Sequence, residues 1–278
     1  MKQTTKVIQQ IFLIYLLCYL ARIVEYFILR TDQTIIGEAF IHKLFGIAVV
    51  IFVMKKSGYG FSDIGISKTG IFKYTMLGLL LGLSMFTIGY FIEFLLLKSQ
   101  QGIAAIEFYV SAYAVDQNIA TQTGILFILI CIIGNLINVM MEEGLYRGLF
   151  PRMLNQKSFF PVAIFCSVLF GFWHIIGPIR NYVDGMSSFQ GMVANCLMLL
   201  ISSFLIALKF AMLAHIEGAL YMGMADHFVN NTIVNLLHVV GKTGADEMMF
   251  LRISIAQGIS FVIVLILYFL HKKKCKEC

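Results

Sequence analysis

Eight stretches of the chain are apolar nearly all round: residues 9–29, 35–54, 74–97, 122–145, 158–177, 189–212, 217–239 and 250–270. Each is close to the roughly 20 residues that carry an α-helix across about 30 Å of hydrocarbon. A helix that is hydrophobic around its whole circumference has no face for water. The alternating strands of about ten residues that build a membrane barrel are not seen. The pattern therefore predicts an all-α membrane protein, a single polytopic domain over 1–278 with eight transmembrane helices. The first stretch runs from Ile11 to Leu29 without a small-residue cleavage site and reads as an anchor, not a removable signal. The connection 98–121 is long and polar, and reads as an interfacial helix or as a lid. Gly78 and Gly82 stand at GxxxG spacing, which allows close helix packing within one chain or between two.

Composition agrees with the pattern. Hydrophobic residues make up 59% of the chain and charged residues 13%, about half the ~25% of globular proteins. A soluble globular enzyme, a disordered chain and a disulfide scaffold are excluded. Lys and Arg number 21 against 15 Asp and Glu, but the positive charges fall between apolar runs, so they read as orientation signals and no nucleic-acid partner is expected. Lys55, Lys56, Lys68 and Lys73 follow the second stretch, Arg147, Arg152 and Lys157 follow the fourth, and Lys272, Lys273 and Lys274 follow the eighth. That alternation puts both termini in the cytoplasm. Low proline with much Ile and Lys points to a bacterial cell membrane. Cys18, Cys131, Cys166 and Cys196 lie in apolar runs and read as inert. Cys275 and Cys278 form a lone C-x-x-C without a second pair to complete a zinc site.

Ionisable groups at membrane depth cost about 2.5–3.5 kcal/mol each on insertion scales, so their clustering is informative. The first cluster is Glu142-Glu143-x-x-x-Arg147. Glu143 and Arg147 are i, i+4 and can form an ion pair, while Glu142 faces another way, along a stripe with Asn138 and Asn135. A carboxylate in that setting suits a general base; it could equally cap a basic helix end or pair with Arg152. The second cluster is Phe170-x-x-x-His174, beside the one Trp, Trp173, a residue type common at membrane interfaces. A lone His on an apolar helix, as His174 is, is more often a structural group than a catalyst. The third is a ridge of His227, Asn231 and Asn235, with His238 close to it. Such a ridge faces protein or a water cavity, as machinery or as polar glue. Arg22 with Glu25, and Glu38 with His42, read as internal neutralisation.

Taken together and in order, Glu142-Glu143-x-x-x-Arg147, Phe170-x-x-x-His174 and His227-x-x-x-Asn231 resemble the three motifs of the CPBP family, the CAAX-type prenyl endopeptidases and bacteriocin-processing proteins. The resemblance covers roughly residues 120–240, the expected catalytic core. The Phe61-Ser-Asp-Ile-Gly65-Ile stretch also looks like the segment that often precedes the third span in that family. The resemblance implies an eight-helix intramembrane endopeptidase of the Ras-converting type, with a catalytic cavity inside the bilayer. Carried over, Glu142 activates a water with help from His174, His227 and Asn231 donate to the oxyanion, and Glu143 and Arg147 support the first helix. Its partners would be the lipid bilayer and a peptide or prenylated-protein substrate. No cofactor is favoured. If zinc is present, Glu142, His174 and His227 would hold it, although the Asn of the third motif suits an oxyanion better than a metal. The alternatives are a non-proteolytic membrane regulator or bacteriocin-immunity-type protein of the same family, and a transporter using its carboxylates as a proton relay.

Overall fold

The computed structural model describes residues 2–34, 37–110, 121–155 and 158–277. Its helices are α1 (Lys2–Val24), α2 (Ile41–Ser57), α3 (Ile71–Gln101), α4 (Ile125–Glu143), α5 (Phe150–Leu154), α6 (Phe159–Trp173), α7 (Ile176–Val183), α8 (Phe189–Glu217), α9 (Tyr221–Leu236) and α10 (Met249–Glu277). Two π-helical turns extend them, Glu25–Leu29 after α1 and Gly144–Leu149 between α4 and α5. Among the described residues, six helical rods are long and apolar enough to cross a membrane: Thr5–Gln33, Ile71–Gln101, Ile125–Leu154, Phe159–Val183, Phe189–Glu217 and Met249–Lys274. Their outer faces carry bare apolar side chains such as Leu13, Phe72, Leu80 and Ile125, each more than 60% exposed. Lipid, not water, suits such a surface. This is an integral membrane protein.

The other two predicted spans are shorter as helices, at 17 residues for α2 and 16 for α9, about 24–26 Å at 1.5 Å per residue. Each has a local cause. α2 begins at Ile41, not near residue 35, because the Glu25 carboxylate accepts the backbone N–H groups of Phe40, Ile41 and His42 at 2.6–2.9 Å. That capping satisfies donors at the start of the helix and fixes its first turn. α9 stops at Leu236 because the chain then enters a strand. β1 (Ala105–Phe108) and β2 (Leu237–Val240) pair antiparallel, with Glu107 opposite His238. The protein is an all-α membrane protein apart from this short strand pair, and part of the 98–121 connection is β1. Residues 111–120 of that connection, Lys157, and the Cys275 and Cys278 side chains lie outside the described residues.

α9 is the centre of the bundle. α3, α4, α8 and α10 all pack on it, and no large apolar side chain of α9 is exposed. Gly78 and Gly82 answer the GxxxG question: they meet α9 of the same chain. A Cβ on Gly78 would stand 2.3 Å from the Met222 carbonyl oxygen, and one on Gly82 would stand 2.9 Å from Val229 Cβ. Only the missing side chains let α3 lie so close. At the far end of α9 the Tyr90 hydroxyl of α3 lies 3.0 Å from the Ile233 carbonyl and 2.6 Å from that of Leu237. Terminal carbonyls that water cannot reach are satisfied in this way. At the near end the 3-10 turn Phe61–Ile64 leads to Gly65, whose carbonyl accepts the Leu220 N–H at 2.9 Å.

Other buried charges are neutralised, but with partners different from those the spacing suggests. Glu25 pairs with the His42 ring, and Glu38 with Lys43. Glu93 meets Arg252, which also reaches Asp246 at 2.7 Å. The spacing arguments considered i, i+3 and i, i+4 pairs within one helix, whereas Glu25–His42 and Glu93–Arg252 join different elements and Lys43 reaches back five residues to Glu38, just before α2.

Candidate active site

The three motifs converge from α4, α6 and α9. Glu142 and Glu143 occupy the last turn of α4 and are 2% and 1% exposed. Adjacent helical positions diverge by about 100°, yet both carboxylates reach the same imidazole. His227 Nδ1 is 2.8 Å from Glu143 Oε1, and its Nε2 is 3.5 Å from Glu142 Oε2. The ring bridges the gap because it enters from α9 between the two side chains, with Phe210 stacked on it at 4.9 Å. The other Glu143 oxygen pairs with Arg147 Nε at 3.3 Å, as the i, i+4 spacing predicts. The Arg147 guanidinium lies over the Phe170 ring at 4.1 Å, a cation–π contact that shields it from lipid.

Glu142 has a partner the sequence did not signal. Trp173 Nε1 donates to its Oε1 at 2.9 Å, and Oε2 has no hydrogen-bond partner among the described residues. Trp173 is wholly buried within the protein. Arg152 is not the partner of Glu142 either. It pairs at the surface with Asp63, at 3.0 Å.

His174 owes its position to a break in the helix. Pro178 has no N–H to offer the His174 carbonyl, so the helix is interrupted between α6 and α7. The His174 N–H turns to the Gly171 carbonyl, and its ring Nδ1 meets the Phe170 carbonyl at 2.8 Å. A carbonyl only accepts, so Nδ1 carries the hydrogen and Nε2 keeps its lone pair. The ring is half-buried and within electrostatic reach of Glu142.

Asn231 lies one turn beyond His227 on α9, about 6 Å along the axis. Its Oδ1 accepts from Asn230 Nδ2 at 2.9 Å. His238 lies off that helix: it sits on β2, stacked on Tyr109 at 3.9 Å and bonded to Asp246 at 3.0 Å. A cavity of about 260 Å³ lies next to this cluster, with Tyr146, Arg147, Ser167, Ala207 and His215 in its walls, and it does not include Glu142 or His227.

A family model described as type II CAAX prenyl endopeptidase Rce1-like matches residues 124–233, from the start of α4 to near the end of α9. Over those residues the chain is similar to that family of CAAX-type proteases. The matched segment contains all three motifs and the elements that join them. No curated protein matches the chain.

Zinc would need Glu142, His174 and His227 to converge on one point. Among the described residues no three His, Cys, Asp or Glu side chains do so. Glu142 Oε1 is engaged by an indole N–H, and His227 Nδ1 by Glu143.

Three residues escaped the sequence reading: Trp173, whose donor role depends on a partner 31 positions away; Lys209, wholly buried within α8; and Gln257 of α10. The signal for Lys209 was present, as a cation inside a long apolar run.

Proposed function

We propose that this protein is an intramembrane endopeptidase in which Glu142 is the general base. The observation that carries the reading is the state of that carboxylate: one oxygen is fixed by Trp173 and the other is free, 3.5 Å from His227 Nε2. A base that must take a proton from water needs one oxygen held and one available.

In the proposed step, a water hydrogen-bonded to Glu142 Oε2 and to the lone pair of His174 Nε2 attacks the scissile carbonyl carbon. Its proton passes to Glu142. The carbonyl oxygen becomes an oxyanion and accepts hydrogen bonds from Asn231 Nδ2 and from Nε2 of a doubly protonated His227 ring, whose Nδ1–H donates to Glu143. Collapse breaks the C–N bond, and the proton held by Glu142 goes to the leaving amine. Products are a carboxylate and an amine. Each oxyanion donor contributes about 2.7–4 kcal/mol in comparable sites. Glu143 holds the His227 ring, and Arg147 holds Glu143. The substrate is a peptide at the membrane surface, prenylated in the CAAX case. All eight apolar helices cross or enter the bilayer, 1–278 forms one domain with 120–240 as its catalytic core, and both termini lie in the cytoplasm. Fusion reporters at residues 1 and 278 test that orientation.

The test of the chemistry is Glu142→Gln in proteoliposomes, with an internally quenched peptide whose farnesylated Cys is followed by three residues, together with peptidomics of membranes from parent and variant cells. We expect cleavage to fall by at least about 10²-fold, and substrate peptides to accumulate in the variant. Parent-like cleavage by Glu142→Gln refutes the reading.

A further inference from the structure

One line of polar side chains leads from the buried interior to Asn231, and its other members have no part in the chemistry above. Lys209 is 0% exposed at the middle of the bundle. Its ammonium donates to Asp226 Oδ2 at 2.5 Å, Gln257 Oε1 at 2.6 Å and Ser260 Oγ at 3.1 Å. Three hydrogens meet three acceptors, and an ammonium has nothing with which to accept. The carbonyl oxygen of Gln257 is therefore turned to Lys209, and its NH2 points away. Gln257 Nε2 donates to Asn230 Oδ1 at 3.0 Å, and Asn230 Nδ2 donates to Asn231 Oδ1 at 2.9 Å. Every amide in the line has its direction imposed by the one before it. The last, Asn231, spends its oxygen inside the line, and so its own NH2 is the end left over for a ligand.

We infer that Lys209, Gln257 and Asn230 are positioning residues that fix the Asn231 side chain with its amide hydrogens presented to the oxyanion. The inference rests on the reading of Asn231 as an oxyanion donor. An asparagine side chain offers a donor on one edge and an acceptor on the other, and the two edges have nearly the same shape. Turned over, it would set a carbonyl lone pair against the developing negative charge. The fixed charge on Lys209 breaks that symmetry. Successive hydrogen bonds pointing the same way also polarise one another, which strengthens the terminal N–H as a donor. A mere ion pair between Lys209 and Asp226 would need neither Gln257 nor Asn230 in these orientations.

The decisive substitution is Gln257→Glu in the full-length protein. It keeps the side-chain size and the acceptor for Lys209, but offers no N–H to Asn230. Asn230 then turns its NH2 to the new carboxylate and its oxygen to Asn231, and Asn231 turns its oxygen outward. Cleavage of the farnesylated quenched peptide is expected to show kcat lowered by about 10²-fold, the scale of one lost oxyanion donor, with KM within about threefold of the parent. In an Asn231→Ala background the same substitution should change kcat by less than about twofold, since the group it positions is already gone. Asn230→Asp makes the same prediction while leaving the contact between Lys209 and Gln257 in place, and it carries the test if Gln257→Glu does not elute as a folded protein. Parent-like kcat in these variants, a loss confined to KM, or additive losses with Asn231→Ala would overturn the relay. If Glu142→Gln is inactive in the same assay, such a result leaves the hydrolytic reading standing. If Glu142→Gln is itself active, the hydrolytic reading falls and the relay with it.

Discussion

Removing the indole N–H while keeping an aromatic ring isolates what Trp173 does for Glu142. In the parent the indole packs edge-on against Tyr15, Tyr19 and Tyr146, with centroids 5.8–6.4 Å apart, and lies under the Arg22 guanidinium at 4.6 Å. Trp173→Phe retains an aromatic face for those neighbours. What disappears is the 2.9 Å hydrogen bond to Glu142 Oε1. A hydrogen bond to a charged group is worth about 1.5–3 kcal/mol, which converts to roughly 10- to 150-fold in rate if the carboxylate loses its aim. The smaller ring also leaves space, and large-to-small changes in a core lower stability, so two measurements are needed. Cleavage in proteoliposomes should fall by that factor. Thermal unfolding in detergent should show a protein that is destabilised but still folded at the assay temperature. In a Glu142→Gln background, Trp173→Phe should cost no further activity, because the base it aims is absent. Activity of Trp173→Phe within about threefold of the parent would show that the indole does not orient the base.

Three other substitutions probe separate parts of the argument. Gly78→Ala forces a methyl group to within 2.3 Å of the Met222 carbonyl, a backbone atom that cannot step aside; overpacking of this kind costs about 1–3 kcal/mol, so the unfolding temperature and the activity should fall together as α9 is displaced, and an unchanged protein would contradict the packing. Arg152→Ala removes an ion pair whose side chains are 40% and 36% exposed; we expect unchanged cleavage and a stability change within about 0.5 kcal/mol, whereas a large loss of activity would restore Arg152 as a partner of the site. Asp246 is buried, which would raise its carboxyl, but hydrogen bonds from His238 and Arg252 outweigh burial and hold it below the usual carboxylate range. A group depressed in the fold contributes stability above its unfolded value and loses it as pH falls through the folded one, so hydrogen exchange at residues 237–240 should accelerate in acid, below about pH 4; in Asp246→Asn exchange should already be fast at neutral pH, and parent-like protection there would sink the assignment.

The apolar runs were legible because lipid demands a continuous hydrophobic length, and that demand is written locally. Glu143 with Arg147 was legible for the same reason: an i, i+4 pair is a property of one helix. The contact between Glu142 and Trp173 was not, because it joins α4 to α6 and depends on how the two rods are rotated. The shared imidazole was not legible either. Two adjacent carboxylates diverge along the helix, but a ring arriving from a third element can touch both. The early stop of α9 was hidden because Leu237–Val240 is as apolar as the helix before it, and only its pairing with β1 makes it a strand. The roles of Lys209 and Gln257 required α8, α9 and α10 to be placed side by side.

The π-helical stretch Gly144–Leu149 has a consequence for the rod that contains it. Pro151 lacks the N–H that would bond the Arg147 carbonyl, and the ladder widens in the turn before it. A wide turn holds a surplus residue, so the two halves of the rod are phased independently. The first half aims Glu142 inward, and the second delivers Arg152 to Asp63 at the rim. Deleting a single residue between 144 and 149 would let the helix close up into regular geometry with its two halves in nearly the same phase, whereas closing the turn with every residue retained would swing everything after it by about 100°. The width of this short turn is therefore what keeps both halves aimed as they are.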